Sequence, residues 1–462
     1  MSERTALPAV LVGDDRAVRC VGGDERRYVG LDSAASTPAL PEVAARVADF
    51  LPWYSSVHRG AGYKSQMATA AYEEARQAML RFCGRGPDDV AIICRNTTEA
   101  INHLAYRLRL RPEDVVVSTV VEHHANLLPW SRLDVTRRYV ECGRDGRFTA
   151  ADVVAQLDAG PRARLLAITG ASNVTGWLPP LDDILDAAHE RGVAVLVDAA
   201  QLAPHRPVPR AADFVAFSGH KMYAPFGAGC LIGPRRAFED GDPFLAGGGA
   251  VDLVDLDEVL WTDPPEREEA GSPNVIGAVA LHAAIDVLEA FGWEAIEAHE
   301  RELAGRLRRG LAAVPGVRVL GPPLEADTLA IATFVVAGVP HALVAARLSA
   351  EHAIGVRHGC FCAHPYLLRL LGVPADEVAR HRADVLAGDR SGLPGAVRAS
   401  VGLSTSEADV DALLEAVAEI ASGAPAPVTY RRDSTTGDYW PEGDSAPWST
   451  GDRALGSSCS RG

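Results

Sequence analysis

The sequence predicts an α/β protein with a large domain built on a mostly parallel β-sheet, followed by a smaller α+β domain. Between about residues 89 and 235, short β-rich runs alternate with helical stretches, as parallel strands joined by right-handed helical crossovers do. Beyond residue 291 this alternation gives way to long helices and separate strands. The chain has 462 residues, 47% of them hydrophobic, which is enough to bury more than one core.

The predicted strands of the large domain are short runs of apolar and β-branched residues, with helical patterns between them. The strands are DVAIIC (89–94), DVVVSTV (114–120), RLLAIT (164–169), VAVLVD (193–198), DFVAFS (213–218) and GCLIG (229–233). The clearest helices are TTEAINHLAYRLRL (97–110) and LDDILDAAHERG (181–192).

The second half of the chain is predicted to contain longer helices. Residues 272–291 predict a nearly all-apolar helix, with Pro273 near its start, where a missing N–H is harmless. Residues 294–313 predict an amphipathic helix. The remaining elements are strands at GVRVL (316–320) and LAIATFVVAG (329–338), and helices near 340–350 and at 406–421.

Composition and pattern divide the chain into four parts. Residues 1–30 form an irregular N-terminal segment, 31–290 the large domain and 291–422 the smaller domain. Residues 423–462 are rich in Pro, Gly, Ser and Asp, which predicts a disordered tail, although its two Trp and two Tyr residues could dock on the body.

Charge and hydropathy exclude several classes of function. The net charge of −16 argues against binding to nucleic acid, because phosphate contacts need clustered cations. No apolar run is long enough to cross a bilayer, and the N-terminus lacks the pattern of a signal peptide, so we expect a cytoplasmic protein without a membrane association. Eight cysteines in such a chain are not a disulfide framework, and a lone C-x-C at Cys360 and Cys362 gives no metal prediction.

The use of lysine is unusual. The 45 basic residues include only two lysines, Lys64 and Lys221, and all the others are arginine. Arginine stays protonated, so chemistry that needs a neutral amine requires lysine. Lys221 follows the carboxyl end of a predicted strand, where partial desolvation lowers the pKa of an amine and lets it attack a carbonyl. We interpret Lys64 as a solvated surface residue.

Two other strand ends carry polar residues. Asp198 ends the apolar strand before Lys221, at the edge of an open α/β sheet where ligands bind. It could pair with a pyridinium nitrogen or simply cap the next helix. Thr97 and Thr98 begin a helix after the strand 89–94, where free N–H groups favour a phosphate, although an ordinary helix cap would explain the same residues.

A series of landmarks between about residues 30 and 421 resembles the class V aminotransferase-fold enzymes that use pyridoxal phosphate (PLP). Within them the chain is most similar to the SufS-like cysteine desulfurase and selenocysteine lyase group. The resemblance implies the type I PLP-dependent transferase fold, with a mostly parallel seven-stranded sheet, and makes residues 31–290 the PLP-binding domain. The landmarks are LDSAASTP (31–38), SSVHRG (55–60), TTEAIN (97–102), EHHANLLPW (122–130), ITGASNVTG (168–176), VDAAQ (197–201), FSGHK (217–221), EAGSPN (269–274), VRHGCFCAHP (356–365) and VRASVGLSTSEADVD (397–411).

The resemblance also implies roles for cofactor-binding residues. Lys221 is similar to the Schiff-base lysine, Asp198 to the partner of the pyridine nitrogen, and Gln201 to the donor to the phenolic oxygen. His123 resembles the histidine that stacks on the ring and takes part in catalysis. The phosphate ligands implied are Thr97, Thr98, Ser218, His220 and, from the neighbouring subunit, Ser272. The last of these implies a homodimer with shared active sites.

Further residues resemble those that bind a small amino-acid substrate. Asn173 and Arg398 match the residues that hold its carboxylate, which suits the planar fork of arginine. His58 and Arg59 match another active-site segment, and Arg357 fits the family spacing of the loop that follows it.

Cys362 resembles the cysteine that takes sulfur from PLP-bound cysteine as a persulfide, leaving alanine and passing sulfur on to an acceptor protein. His358, Cys360 and Phe361 depart from the usual loop, so Cys360 could resolve a persulfide, receive it or be a bystander. Gly170 and Glu268 also depart from the pattern and could signal a different substrate. Two alternatives therefore stay open: another class V enzyme, such as a C–S lyase, epimerase or aminotransferase, and a sulfur-carrier binding protein with little catalysis.

Overall fold

The computed structural model describes residues 6–58 and 60–442, and within them the chain forms twelve α-helices and nineteen β-strands. The helices are α1 (Pro41–Phe50), α2 (Tyr63–Phe82), α3 (Thr97–Arg107), α4 (Leu128–Ser131), α5 (Ala150–Leu157), α6 (Leu181–Glu190), α7 (Val275–Phe291), α8 (Trp293–Ala313), α9 (His341–His352), α10 (His364–Leu371), α11 (Ala375–Leu386) and α12 (Glu407–Ala421).

The strands include all six that the sequence predicts for the large domain. They are β1 (Ala17–Arg19), β2 (Glu25–Arg27), β3 (Val29–Gly30), β4 (Asp89–Cys94), β5 (Val115–Thr119), β6 (Thr136–Val140), β7 (Ala163–Thr169), β8 (Ala194–Asp198), β9 (Phe214–Ser218), β10 (Gly229–Pro234), β11 (Val251–Val254), β12 (Val259–Trp261), β13 (Val317–Leu320), β14 (Ile331–Val336), β15 (Ile354–Gly355), β16 (Arg357–Gly359), β17 (Ala396–Ser400), β18 (Tyr430–Arg432) and β19 (Tyr439–Pro441).

The large domain is built on a seven-stranded sheet in the order β4-β10-β9-β8-β7-β5-β6. All strands run in the same direction except β10, which is antiparallel to both of its neighbours. The predicted fold class and the seven-stranded sheet are therefore confirmed. The sequence had not indicated β6 (TRRYV), because charged residues interrupt its apolar pattern.

Helices cover both faces of this sheet, which is why its strands are apolar without alternation. In β7, Leu166 and Ile168 belong to one hydrophobic core, whereas Leu165 and Ala167 belong to the core on the opposite face. Successive side chains of a strand point to opposite faces, so six of the seven strands contribute to both cores, and the edge strand β6 contributes Val140 to one of them. Parallel strands then deliver their carboxyl ends to one edge, where β8 ends at Asp198 and β9 ends at Ser218.

The smaller domain contains a four-stranded antiparallel sheet in the order β13-β14-β17-β16, covered by α8, α9 and α12. The end of the N-terminal segment also joins this domain. β3 pairs in parallel with β15, and Val29 and Leu31 lie in the core of the smaller domain. The N-terminal segment therefore contacts both domains, because Leu11 lies in the core of the large one.

Helix α7 is shorter than the predicted helix 272–291, because it begins at Val275. The side-chain oxygen of Asn274 accepts a hydrogen bond from the Gly277 N–H at 2.9 Å, which is the arrangement of a helix N-cap. Across residues 6–58 and 60–442, no single helix is long and apolar enough to cross a membrane. Helices α7 and α8 pass that test only as a pair bent by 80°.

The C-terminal segment differs from the predicted disordered tail over its described part, residues 423–442. Strands β18 and β19 form an antiparallel hairpin on the smaller domain. The Tyr430 hydroxyl donates a hydrogen bond to Glu351 at 2.9 Å, and the Arg390 N–H donates to the Ser434 carbonyl at 3.0 Å. Contacts with the body therefore order a segment whose composition is polar. The rest of the predicted tail, residues 443–462, lies outside the described residues.

A buried ion pair of the large domain links α2 to the loop before α7. The Arg76 guanidinium is 3% exposed and binds both carboxylate oxygens of Glu269, at 2.8 and 3.0 Å. Glu269 also accepts hydrogen bonds from the Tyr72 hydroxyl and the Ile93 N–H. The pair therefore fixes the entrance to α7 against the sheet.

We expect Arg76→Met to lower the free energy of unfolding by about 3–5 kcal/mol, because it leaves the Glu269 carboxylate buried without a countercharge. Arg81→Met on the same helix is the control. Its guanidinium is 52% exposed, so its ion pairs should contribute about 0.5 kcal/mol or less. Urea unfolding followed by circular dichroism at a fixed protein concentration measures both, and equal effects would contradict the assignment.

Candidate active site

A cavity of about 970 Å³ opens at the carboxyl edge of the large sheet and continues under the smaller domain. Its volume lies at the upper end of the range for small-molecule sites. It brings together residues from both domains and from segments far apart in the sequence. The predicted site residues that line it are Thr97, Thr98, His123, Asn173, Asp198, Gln201, Ser218, His220, Lys221, Arg357, Cys362 and Arg398.

Lys221 and Asp198 form the charged centre of the cavity. Lys221 ends the short 3₁₀ turn Gly219–Lys221 that follows β9, and Asp198 ends the neighbouring strand β8. Burial lowers the pKa of the Lys221 amine to about 8, although Asp198 opposes that shift. Burial raises the pKa of the Asp198 carboxyl, and hydrogen bonding to Ala200 and the charge of Lys221 counteract it. The amine can therefore lose its proton near neutral pH.

Asp198 is 4% exposed, and its Oδ1 atom accepts a hydrogen bond from the Ala200 N–H at 3.0 Å. Within the described part of the chain, no cationic nitrogen lies within 4.0 Å of its carboxylate. A buried acid without an ion-pair partner is costly. The site is thus suited to a ligand that brings its own positively charged nitrogen.

A small polar cradle lies where α3 begins. The Ser218 hydroxyl accepts a hydrogen bond from the Thr97 N–H at 2.8 Å and lies 2.7 Å from the Thr97 hydroxyl. Asn96 caps the helix by accepting from the Glu99 N–H. Thr98 and His220 complete the polar lining there. Hydroxyl groups beside the positive end of a helix dipole suit a phosphate.

His123 lines the cavity with a neutral ring. Burial and, to a smaller extent, the nearby Lys221 amine lower its pKa to about 3. Its Nδ1 atom accepts a hydrogen bond from the Ala125 N–H at 3.0 Å, so the proton of the neutral ring is on Nε2. The Gln201 amide donates to the Ala34 carbonyl at 2.6 Å, which leaves its second N–H for a ligand.

Arg398 is held from two sides. One terminal nitrogen donates to the Asn173 carbonyl and the other to Asp32, both at 2.8 Å. The guanidinium also lies 5.1 Å from the ring centre of Phe361. The side chain is 2% exposed, and two of its five N–H groups are used by these contacts. A fixed, buried arginine with free N–H groups suits a carboxylate ligand.

The loop that carries Cys362 has an unusual backbone. Phe361 and Cys362 both have positive φ angles, of 54° and 55°. Two residues of the large domain hold this conformation. The Asn173 side chain donates to the Phe361 carbonyl at 2.7 Å, and the His124 N–H donates to the Cys362 carbonyl at 2.7 Å. Such strain is usually found at functional sites.

The two cysteines of this loop differ in environment. Cys362 is exposed, whereas Cys360 is half-buried. Burial raises the pKa of the Cys360 thiol, although hydrogen bonding to the Cys362 backbone opposes the shift. Thiolate is the reactive form of cysteine, so Cys362 is the better placed nucleophile.

Three predicted residues are not placed in the cavity. Ser272 is exposed in the turn before α7, and His58 lies 3.2 Å from Glu73 on α2. Neither lines the cavity of its own chain. Arg59 lies outside the described residues.

Of the five departures from the family pattern, His358, Cys360 and Phe361 line the cavity, whereas Gly170 and Glu268 do not. A Cβ at Gly170 would lie 3.0 Å from the side chain of Leu202. Glu268 is buried 2.7 Å from the His103 ring and 3.3 Å from Arg107. Gly170 and Glu268 therefore do not contact a substrate in this chain's own cavity.

Sequence reasoning missed several residues that support the site. Asp32 holds Arg398 and also lies 3.8 Å from Arg357. Glu122 accepts hydrogen bonds from Thr119, Asn126 and the Thr169 N–H, and burial raises its pKa to about 8. Both acids lie inside the landmarks LDSAASTP and EHHANLLPW. Their spacing in the sequence does not predict the hydrogen bonds and ion pairs that they form.

Comparison with known proteins agrees with this geometry. The model of the family described as aminotransferase class-V matches residues 29–413. A probable cysteine desulfurase of Halobacterium salinarum is 36% identical over 412 residues, which cover 86% of this chain and 92% of that protein. A cysteine desulfurase of Dickeya dadantii is 39% identical over 367 residues, covering 77% and 87%. The apo structure of a cysteine desulfurase from Thermococcus onnurineus NA1 matches with a TM-score of 0.77 at 32% identity, covering 86% and 95%.

We expect the Lys221 amine of the cofactor-free protein to be half-labelled by a small amine reagent at about pH 8. Because the Asp198 charge raises that pKa, Asp198→Asn should move the midpoint to lower pH. Peptide mass mapping across a pH series measures it, helped by the presence of only two lysines in the chain.

Asp182→Asn, an exposed carboxylate at the start of α6, is the matched control and should not move the midpoint. A midpoint that rises in Asp198→Asn would contradict the pairing.

Proposed function

This chain belongs to the aminotransferase class-V family, and on that premise we propose that it is a PLP-dependent cysteine desulfurase. It removes sulfur or selenium from L-cysteine or selenocysteine, giving alanine and a persulfide on Cys362. The observation that carries the proposal is that one cavity holds Lys221, Asp198, Arg398 and Cys362. The desulfurase relatives from Halobacterium and Dickeya support this reaction over the other class V chemistries.

The residues of the cavity fit PLP. Asp198 is a buried acid that has no cationic nitrogen within 4.0 Å among the described residues, and a pyridinium nitrogen would supply one. The hydroxyl groups at the start of α3, with Ser218 and His220, suit its phosphate. Gln201 keeps an N–H for the phenolic oxygen, and His123 offers a neutral ring for stacking. Lys221 has the lowered pKa that carbonyl attack requires.

When bound, PLP supplies an electron sink for the α-carbon of an amino acid. The chain's own residues bind the substrate and move its proton. Arg398, with Asn173 and Arg357 nearby, binds the substrate carboxylate and thereby orients the α-carbon. Lys221 takes the α-proton at its Nζ atom, because an amine with a pKa of about 8 is partly neutral at physiological pH.

Cys362 acts as the sulfur nucleophile. Its sulfur attacks the substrate sulfur, so a new S–S bond forms while the carbon–sulfur bond of the substrate breaks. The electron pair of the carbon–sulfur bond stays with the amino acid, whose β-carbon takes a proton, and the α-proton returns from Lys221, so alanine leaves. The enzyme keeps the sulfur as a persulfide that an acceptor later removes. Cys362 is preferred to Cys360 because it is the exposed thiol of the pair.

We further propose that the active protein is a homodimer with shared sites. Ser272 and His58 lie outside their own cavity, as expected if they complete the partner's site. Beside Ser272, the Gly271 N–H donates to the Gly248 carbonyl at 2.7 Å, and the β11–β12 hairpin begins there. This hairpin exposes large apolar side chains, which typically mark an interface. They are Leu253, Val254, Leu256, Val259 and Leu260.

Cys362→Ala should abolish alanine formation from L-cysteine, with a loss of roughly 100-fold or more, because Cys362 is the exposed one of the two described thiols that line the cavity. The variant should still bind cysteine and change the cofactor absorbance. Alanine, pyruvate and sulfide are measured with PLP-loaded protein and a thiol reductant.

Cys360→Ala is the matched control and should retain alanine formation. Alanine at an undiminished rate in Cys362→Ala would remove Cys362 from the mechanism. Pyruvate as the main product of the unaltered protein would favour a C–S lyase instead.

We expect the Leu256→Asp, Leu260→Asp double variant to be monomeric and to lose PLP more readily than the unaltered dimer, because charges in an apolar interface oppose association. Light scattering after gel filtration gives the mass, and absorbance gives the bound cofactor. Val10→Asp, on an exposed apolar residue of the N-terminal segment, is the control. A monomeric unaltered protein with full activity would contradict the shared site.

A further inference from the structure

The cavity is cationic although the chain as a whole is acidic. Its lining includes six lysine or arginine side chains and a single carboxylate, Asp198, whereas the net charge of the chain is −16. A cleft lined by one sign of charge concentrates oppositely charged ligands. The proposed mechanism uses Lys221, Arg398 and Arg357, so three arginines remain without a role.

These three arginines come from C-terminal segments. Arg382 is on α11, Arg390 is in the loop that follows it, and Arg432 ends β18. Within residues 6–58 and 60–442, no carboxylate oxygen lies within 4.0 Å of any of their guanidinium nitrogens. They are exposed at the mouth of the cavity, available to a ligand from solution.

The β18–β19 hairpin fixes two of these arginines. A terminal nitrogen of Arg390 donates to the Thr435 carbonyl at 3.2 Å, and the Arg432 guanidinium lies 5.7 Å from the Tyr439 ring centre. The turn of the hairpin packs closely against the backbone of Arg390, because a Cβ at Gly437 would lie 3.0 Å from the Arg390 carbonyl oxygen. The hairpin follows residue 413, where the family match ends. The part of the cavity that the hairpin lines is therefore formed by a segment beyond the region that the family model matches.

The hairpin also contacts the strand that leads to the cysteines. The His358 ring lies 3.2 Å from Asp438, and His358 belongs to β16, directly before Cys360. Both cysteines line the same cavity as the three arginines. A small molecule held by the arginines would therefore share the cavity with the sulfur on Cys362.

We propose that Arg382, Arg390 and Arg432 form a subsite for a small anionic sulfur acceptor, such as a thiol that carries a carboxylate. This proposal rests on the proposed desulfurase function and adds the chemical class of its second substrate. The subsite binds the carboxylate through guanidinium groups and presents the acceptor thiol to the Cys362 persulfide.

The transfer balances without an added oxidant or reductant. The acceptor thiolate attacks the outer sulfur of the Cys362 persulfide, so a new S–S bond forms in the acceptor while the S–S bond to Cys362 breaks. The acceptor leaves as a persulfide, and Cys362 returns as a thiolate. The proton that the acceptor thiol loses passes to the solvent or to one of the two sulfur products, the Cys362 thiolate or the acceptor persulfide.

The test uses PLP-loaded protein that has been persulfidated with one equivalent of L-cysteine and freed of excess substrate. Discharge is followed by intact mass, as the loss of one sulfur atom. The probes are 3-mercaptopropionate, which carries a carboxylate, and 2-mercaptoethanol, which does not. The persulfide of the unaltered protein should react with 3-mercaptopropionate with a higher second-order rate constant than with 2-mercaptoethanol. Added salt should slow only the reaction with 3-mercaptopropionate.

Arg390→Gln with Arg432→Gln should lower the ratio of the anionic to the neutral rate by about tenfold, the size of one charge-assisted hydrogen bond. Arg431→Gln is the matched control, because Arg431 is an exposed neighbour on the same strand that does not line the cavity. The rate of each variant with the neutral thiol serves as its internal reference. A difference between variants in the extent of persulfidation therefore cancels in the ratio of the two rates.

A ratio that is insensitive to both salt and the double variant would overturn the subsite and point to a protein acceptor. Alanine released in the persulfidation step is measured separately in the unaltered protein. Its absence there would count against the desulfurase function itself, which distinguishes the two failures.

Discussion

The arrangement of this active site depends on a half-buried lysine and a buried carboxylate at the carboxyl edge of one sheet. Neither Lys221 nor Asp198 would be stable there alone, because removing a charge from water costs several kcal/mol. Their strands, β8 and β9, are neighbours, so the two charges compensate each other in part and each shifts the pKa of the other. A pyridinium cofactor would complete the compensation. The same desolvation that makes the pair costly gives Lys221 the neutral amine that its chemistry needs.

The position of Cys362 depends on the packing of the two domains. Its loop belongs to the smaller domain, yet the hydrogen bonds that hold it come from His124 and Asn173 of the large domain. Arg398 on β17 is fixed in the same way, by the Asn173 carbonyl and by Asp32. The nucleophile and the carboxylate-binding arginine are thus located relative to Lys221 by contacts across the domain boundary. A change in domain packing would therefore affect catalysis before it affected either core.

The charge distribution separates this cavity from the rest of the molecule. An acidic surface surrounds a cationic cleft, and half of the cations in that cleft are supplied by α11, its following loop and the C-terminal hairpin. The hairpin is held on the body by contacts such as Tyr430 with Glu351. A segment with weak intrinsic structure can still shape a binding site when the body of the protein provides its partners.

The sequence by itself determined the fold class, six of the seven strands of the main sheet and the residues that meet at its edge, because parallel strands bring their carboxyl ends together whatever the details of packing. Scarcity of lysine singled out Lys221, and family landmarks indicated Cys362 and Arg398. Only the tertiary structure decided which residues support them. The buried acids Asp32 and Glu122, the position of Glu268 away from the cavity and the ordered hairpin at 430–441 all rest on contacts between distant segments. Composition and periodicity indicate the local preference of a segment for helix, strand or loop. These contacts depend instead on which distant groups become neighbours after folding.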